Sequence, residues 1–322
     1  MSLRPLRLGT RASNLAVTQS TLVADALRAL GAEVELVMIR TAGDQRAPDT
    51  AWGEGAFVGA LEAALLEDRI DLAVHSAKDV PTTEDPRLRI AAFPAREDPR
   101  DALVCRTRGS SLATLPHGAR IGTDSPRRTA FLLARRPDLH VHPLHGNVDT
   151  RLARLDAGDT DALILAVAGL TRLGRADRIG EILDANVVPP APGQGSLAVQ
   201  VRADDAETSE WVGRLDDCAS RATVEAERAF LRASGGGCRA PIGALARIEG
   251  DEVVLVGAAA AQGVPAVDGA STPIAWGTER APVDERIAAA GRLAARLREE
   301  LAAARAVETI AAPPVAMEAT TR

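Results

Sequence analysis

The sequence predicts an α/β protein, with two lobes of mixed, mostly parallel sheet followed by a small α+β domain. Three observations carry this. Short apolar runs alternate with amphipathic helical stretches from residue 6 onward. The alternation restarts near Asp101, as a second unit of the same kind would require. From residue 219 it gives way to a helix, a glycine break and a hairpin signal. Strand–helix–strand units with compact connections favour parallel sheets wrapped by helices, and two such units in tandem imply a cleft between lobes.

Residues 6–10 read as an apolar strand. Ser13 can cap a helix running to about Leu30, with Leu15, Leu22, Val23, Ala26, Leu27 and Leu30 expected on one face and Gly31 suited to the position after its end. Residues 33–40 alternate as a strand. Residues 42–55, polar and glycine-rich, form a long loop; 57–68 is a helix and 70–75 a buried strand that stops at Lys78. In the second unit, 102–106 and 119–122 are strands, and Ser125-Pro126 starts a helix that runs to about Arg136. Residues 140–144 form a strand, 148–156 a helix and 162–168 an apolar strand. Pro189-Pro190-Ala191-Pro192-Gly193 reads as a hinge returning the chain to a strand at 196–202. Residues 219–233 form a helix. Strands 244–248 and 253–258 flank a Glu-Gly-Asp-Glu turn, and 283–304 is a long helix. The expected domains are lobe one at 1–99 and 196–216, lobe two at 100–195, a third domain at 217–304, and a frayed tail at 305–322.

Composition narrows the function. Lys78 is the sole lysine among 38 Lys and Arg residues, and tyrosine is absent. A compact ammonium and a planar guanidinium are different tools, so a lysine kept where arginine fills the other cationic positions marks its surroundings, His75-Ser76-Ala77-Lys78-Asp79-Val80-Pro81. The net charge of −6 gives no basic field for nucleic acid. No apolar run is long enough to span a membrane, and Arg4, Arg7 and Arg11 are followed by no apolar stretch of the kind a signal peptide carries. Cys105, Cys218 and Cys238 are odd in number and lack CxxC spacing, which points to a reducing cytoplasm rather than to disulfides or zinc.

In open α/β sheets, ligands bind beyond the carboxyl ends of strands. Polar sets fall there repeatedly: Arg11 and Ser13; Ser76, Lys78 and Asp79; Thr123, Ser125, Arg127 and Arg128; His145 and Arg151; Arg172. Hydroxyls, guanidinium groups and helix N-termini make anion sites, so the expected ligand carries several negative groups. Asp79 is a candidate acid/base or electrostatic stabiliser, or else an ordinary turn residue before Pro81. Cys238, in Gly-Gly-Gly-Cys-Arg, is a candidate nucleophile or covalent attachment point, whereas Cys105 and Cys218 read as structural. His140, His142 and His145 lack a cysteine or carboxylate cluster that would complete a metal shell, so no metal is expected.

An ordered series of segments resembles the porphobilinogen deaminase (hydroxymethylbilane synthase) family over nearly the whole chain. It comprises Leu8-Gly9-Thr10-Arg11-Ala12-Ser13; Thr41-Ala42-Gly43-Asp44; the stretch 70–82 around Lys78-Asp79; Arg96-Glu97-Asp98-Pro99-Arg100-Asp101-Ala102; Ile121-Gly122-Thr123 with Arg127-Arg128; Gly146-Asn147-Val148 with Arg151; Ala168-Gly169-Leu170 with Arg172; Pro192-Gly193-Gln194-Gly195; and Gly236-Gly237-Cys238 with Pro241-Ile242-Gly243. The resemblance implies two lobes like those of periplasmic binding proteins, crossed twice by the chain, with the cysteine on the third domain. It implies a monomeric transferase of tetrapyrrole (haem) biosynthesis that joins four porphobilinogen units head to tail with loss of ammonia. A dipyrromethane held by a thioether at Cys238 would prime the chain, and water would release hydroxymethylbilane. On this resemblance Asp79 stabilises the cation formed as ammonia leaves. Lys78, Ser76, Thr123, Ser125, Arg127, Arg128 and Gln194 hold the dipyrromethane; Arg11, Ser13, His145, Arg151 and Arg172 hold substrate; and 42–55 forms the lid.

Three positions depart from the family pattern. His145 stands where arginine precedes Gly-Asn, which makes a fixed charge titratable near neutrality. Val58-Gly59-Ala60 replaces Thr-Lys-Glu after the lid, and Asp124 adds a negative charge beside an anion site. The rival readings are a non-catalytic two-lobe binding protein for an anionic ligand, a ligand-sensing regulator and an impaired homologue. The first has no need of the cysteine loop, and for the second nothing in the sequence resembles a DNA-reading helix pair.

Overall fold

The computed structural model describes residues 4–39, 58–83, 85–237, 240–261 and 272–311. In the first unit β1 (Leu6–Thr10) leads to α1 (Asn14–Ala29), β2 (Val34–Met38), α2 (Gly59–Leu66), β3 (Leu72–Ser76) and β4 (Leu88–Ala92). The second holds β5 (Asp101–Cys105), β6 (Arg120–Gly122), α3 (Pro126–Arg135), β7 (His140–His142), α4 (Val148–Asp156), β8 (Ala162–Ala166), α5 (Val167–Arg172) and β9 (Glu181–Ile182). Then come β10 (Leu197–Arg202), α6 (Ala206–Gly213), α7 (Cys218–Ala233), β11 (Ile242–Glu249), β12 (Glu252–Ala260), β13 (Ile274–Pro282) and α8 (Arg286–Ala311).

The first sheet has the order β2-β1-β3-β10-β4. Its β1, β2 and β3 are parallel, while β10 returns from later in the chain and lies antiparallel between β3 and β4. The second sheet, β7-β6-β8-β5-β9, repeats the plan: β6 is parallel to β7 and β8, and β5 runs antiparallel beside β8. The chain therefore crosses between lobes twice, after β4 and again before β10. The crossings pack against each other so closely that a Cβ on Gly195, whose φ is +88°, would collide with the Glu97 carbonyl. Glycine is needed there for both reasons.

With few aromatic residues, the cores are aliphatic. Leu8, Leu27, Leu72 and Val199 centre lobe one, and Leu103, Ile121, Leu132 and Ile164 centre lobe two. The third domain packs α7 and α8 against the antiparallel sheet β11-β12-β13 around Phe230, Leu255 and Leu293. Trp276 meets Phe131 of lobe two edge-on, with ring centroids 5.4 Å apart.

Several elements differ from expectation. Helix α1 buries Ser20, Val23, Ala24 and Leu27 and leaves Leu22 and Leu30 exposed. Small Ser20 and Ala24 let the helix approach the sheet, which shifts the stripe away from the largest side chains. Strands β4 and β13 lie where no strand was expected; β13 carries a central glycine and the polar run Thr278-Glu279-Arg280, which weaken its signal. Helix α8 continues to Ala311, past the expected start of the tail.

Candidate active site

The carboxyl ends of β1, β3 and β8 open into a cleft of about 520 Å³ between the lobes, within the usual range for a small-molecule site. Lobe one contributes Arg11 and Ser13 after β1, and Ser76, Lys78 and Asp79 at the end of β3. Lobe two contributes Arg128, Arg151 and Arg172, with Asn147 and the start of α5. Five cationic side chains thus surround one carboxylate, that of Asp79, among the described residues.

Each is placed by local structure. Ser13 caps α1, its Oγ accepting from the Ala16 amide at 3.4 Å. The Ala77–Asp79 turn continues β3 directly, so Lys78 and Asp79 sit at the strand's mouth. Lys78 Nζ donates to Gln194 Oε1 at 3.2 Å. Burial pulls its ammonium down to about 8; Asp79 and Asp101 oppose that shift, and Arg128 and Arg127 reinforce it. Asn147 caps α4 by accepting from the Thr150 amide at 2.9 Å, which aims the next turn, with Arg151, at the cleft. Arg151 donates to the Gly146 carbonyl at 2.9 Å and to Asp124 at 3.2 Å. Arg172 donates to the Gly195 carbonyl at 2.7 Å, so it is anchored on the second crossover. Burial lowers the pKa of both arginines, with Asp124 and Glu97 respectively opposing; a guanidinium stays charged at neutral pH regardless.

Other expected site residues lie elsewhere. Arg127 and Arg128 are consecutive on α3, and neighbours in a helix do not share a face. Arg128 lines the cleft; Arg127 is buried behind it, donating to the Pro189 carbonyl and lying 2.8 Å from Asp101. Thr123 Oγ1 accepts from the Ser125 amide, and Ser125 Oγ accepts from the Arg128 amide, so both shape the start of α3 rather than the cleft wall. Gln194 is buried beneath the cleft, where Nε2 donates to the Pro99 carbonyl at 2.7 Å and to Asp101 at 2.9 Å. His145 also stands off the cleft lining, with Nδ1 2.9 Å from Asp124 Oδ2. Cys238 and the loop at 42–55 lie outside the described residues. Burial pushes the Cys105 thiol up to about 11, which suppresses thiolate chemistry there.

Two carboxylates matter that were not among the expected site residues. Asp101, fully buried at the start of β5, takes Arg128 Nη2 at 2.7 Å together with Arg127 and Gln194. Its only sequence signal is an acid opening an otherwise apolar strand. Asp124 lies between His145 and Arg151, 2.9 Å from His145 Nδ1 and 3.2 Å from Arg151 Nη2.

The cleft fits a polycarboxylate. A dipyrromethane carries four carboxylates, and a lining of guanidinium and ammonium groups with one acid among the described residues is the donor set such a ligand needs.

Comparison with known proteins follows the same line. A family model described as porphobilinogen deaminase, dipyromethane cofactor binding domain, matches residues 6–210, and one described as porphobilinogen deaminase, C-terminal domain, matches 221–298. The porphobilinogen deaminase of Roseiflexus castenholzii is 51% identical over 257 residues, 78% of this chain and 84% of its own. That of Roseiflexus sp. is 47% identical over 297 residues, 89% and 97% of the two chains. Among solved structures, the methionine-binding protein MetQ aligns with a TM-score of 0.44 at 14% identity, covering 65% of this chain and 89% of its own.

Proposed function

Because this chain belongs to the porphobilinogen deaminase family, we propose that its cleft carries out the family reaction with Asp79 as the catalytic carboxylate and with Arg11, Ser13, Lys78, Arg128, Arg151 and Arg172 as the groups that hold carboxylates. The enzyme is a transferase of tetrapyrrole biosynthesis: it joins four porphobilinogen units head to tail, releases ammonia from each, and yields hydroxymethylbilane. Its cofactor is a dipyrromethane, which we assign to Cys238; when bound, it supplies the pyrrole carbon to which the first unit is joined and remains on the protein when product leaves. We place the enzyme in the cytoplasm, as a monomer that engages no nucleic acid, in keeping with its unpaired cysteine spacing and net negative charge. Among the described residues no helix is long and apolar enough to cross a membrane.

The observation that carries this reading is, among the described residues, one acid in the cleft lining beside five cations. Each porphobilinogen brings an acetate and a propionate. Arg11, Arg151 and Arg172 present planar forks that grip carboxylates and fix the ring's orientation, and Lys78 adds a compact ammonium at the mouth of β3. As the C–N bond of the aminomethyl group breaks and ammonia leaves, positive charge develops on the substrate pyrrole. The Asp79 carboxylate, at the end of β3, accepts from the ring N–H and offsets that charge. A preorganised carboxylate does so without solvent reorganisation. Formation of the new C–C bond and loss of a ring proton then restore a neutral pyrrole.

The test pairs two variants. Asp79→Asn should load its primer normally yet turn over about 10²–10³-fold more slowly; turnover within about threefold of the parent removes Asp79 from this role. Intact mass under denaturing conditions should exceed the bare chain by two porphobilinogen units less two ammonias, and that increment should vanish in Cys238→Ser. A bare mass from cells that make porphobilinogen would instead support a binding protein.

A further inference from the structure

Helix α7 belongs to the third domain, yet its Arg228 reaches into lobe one. The side chain is buried. Nη1 donates to the carbonyls of Ala77 at 3.2 Å and Val80 at 2.8 Å, and Nη2 donates to that of Pro81 at 2.9 Å. These carbonyls bracket Lys78 and Asp79 on both sides. The turn they belong to is a single 3-10 turn, and Val80 beyond it is extended. So short an element leaves its last carbonyls without helical partners, and Pro81 has no amide with which to continue it. Arg228 satisfies those carbonyls from outside. The start of the turn is fixed separately, by the Ala77 amide donating to the Ser196 carbonyl at 3.0 Å.

The preceding residue sets where Arg228 stands. Glu227, fully buried, accepts from both Arg96 Nη atoms at 2.8 Å, from the Gly193 amide at 2.7 Å and from the Ala246 amide at 2.8 Å. It therefore registers α7 against the first crossing, the second crossing and the third domain's own sheet. Ten residues beyond Arg228 the same stretch of chain reaches Cys238.

We propose that Arg228 is a positioning residue that holds the Ala77–Asp79 turn so that the Asp79 carboxylate faces the reacting pyrrole, tying the catalytic acid to the helix that leads to the attachment cysteine. This rests on the assignment of Asp79 above. A planar fork can span carbonyls on both sides of a turn, whereas one ammonium on a flexible stem cannot hold the same three in fixed geometry.

The experiment measures kcat and KM per primer-loaded, folded molecule for Arg228→Lys and Arg228→Ala, each also in an Asp79→Asn background. Misplacing the carboxylate without disturbing the carboxylate-binding arginines should lower kcat about 10- to 100-fold, and because Lys78 rides on the same turn KM should rise by no more than about tenfold. Guanidinium at about 10 mM should restore part of the Arg228→Ala rate by refilling the donor site, and sodium chloride of equal ionic strength should not. In the Asp79→Asn background, Arg228→Lys should add almost nothing, because the group it positions is gone. A kcat for Arg228→Lys within about twofold of the parent overturns the proposal, as does a loss in Arg228→Ala that guanidinium leaves untouched or a loss fully additive with Asp79→Asn. Should Arg228→Ala not fold, the lysine variant and its additivity decide alone. If Asp79→Asn is itself active, the Asp79 assignment falls; if it is impaired while Arg228→Lys is normal, only the positioning role falls.

Discussion

Asp71 and Asp101 are chemically alike and differently employed. Both side chains are fully buried, and each gathers several donors. Asp71 accepts from Arg4, from the amide and guanidinium of Arg7, and from Arg202. Asp101 takes Arg127, Arg128 and Gln194. In both, hydrogen bonds and guanidinium charge outweigh desolvation and hold the carboxyl below the ordinary range. Asp71, however, precedes β3 at the end away from the cleft, and Arg4, Arg7 and Arg202 do not line that cleft. Asp101 lies beneath the cleft; Arg128 projects into it, and Gln194 passes the connection on to Lys78. One cluster ties together the foot of a lobe, and the other builds the floor of a binding site.

The partners' exposure turns this contrast into magnitudes. Around Asp101 the guanidinium side chains of Arg127 and Arg128 are 4% and 8% exposed. Around Asp71 those of Arg4 and Arg7 are 57% and 27% exposed. Asp101→Asn should therefore have the largest effect, because two buried cations lose their counter-charge: about 3–5 kcal/mol of unfolding free energy by denaturant titration, together with slower turnover in the folded fraction. Asp71→Asn leaves cations that water can reach, and should cost about 1.5–3 kcal/mol with kcat per folded molecule unchanged. A fall in kcat for the Asp71 variant, or none for the Asp101 variant, would erase the distinction. Both carboxyls have native pKa values below their unfolded ones. Their contribution is thus complete above about pH 4 and is lost as pH falls from there through the folded pKa, so acid unfolding of each variant should begin from a lower plateau but be less steep.

How far this was legible depends on whether a signal is local. β1 and α4 fall where the residue pattern placed them, and Ser13, Ser125 and Asn147 occupy cap positions, because alternation, helical period and capping are written in neighbouring residues. The division of labour between Arg127 and Arg128 follows from helical geometry alone, but which of the two faces the cleft is set by tertiary packing: both reach Asp101, and Arg127 also donates to the Pro189 carbonyl. Asp101 itself shows no periodicity to mark it, and neither does Gln194 as a buried bridge. Asp124, unexplained in the sequence, becomes intelligible only beside His145 and Arg151. Contacts between lobes and crossings depend on tertiary packing, where single-sequence patterns are silent.

A smaller effect concerns Lys78, the cation that Gln194 links to the Asp101 cluster. With its ammonium drawn down to about 8, the native state loses this proton more readily than the unfolded chain does. The charged form is penalised by folding below pH 8, and the penalty is relieved as pH rises toward about 10.4, the unfolded value. For catalysis the direction is opposite: above pH 8 a neutral Lys78 no longer attracts carboxylate, so KM should climb by about threefold to tenfold between pH 7 and 9 while kcat moves less. Lys78→Arg, charged throughout, should flatten that rise.

The smallest effect tests the lobe-two rim. His145 contacts Asp124, and Asp124 holds Arg151, so His145 acts on the cleft only through a shared carboxylate. Replacing it with arginine fixes a charge opposite Asp124 at every pH. The expected result is a change of at most about threefold in kcat/KM. An unchanged kcat/KM in His145→Arg would show that Asp124 serves Arg151 alone. Asp124→Asn should then raise KM without the histidine's participation, and the rim would resemble the Asp71 cluster, a carboxylate holding its arginine in place, more than the Asp101 network that reaches into the site.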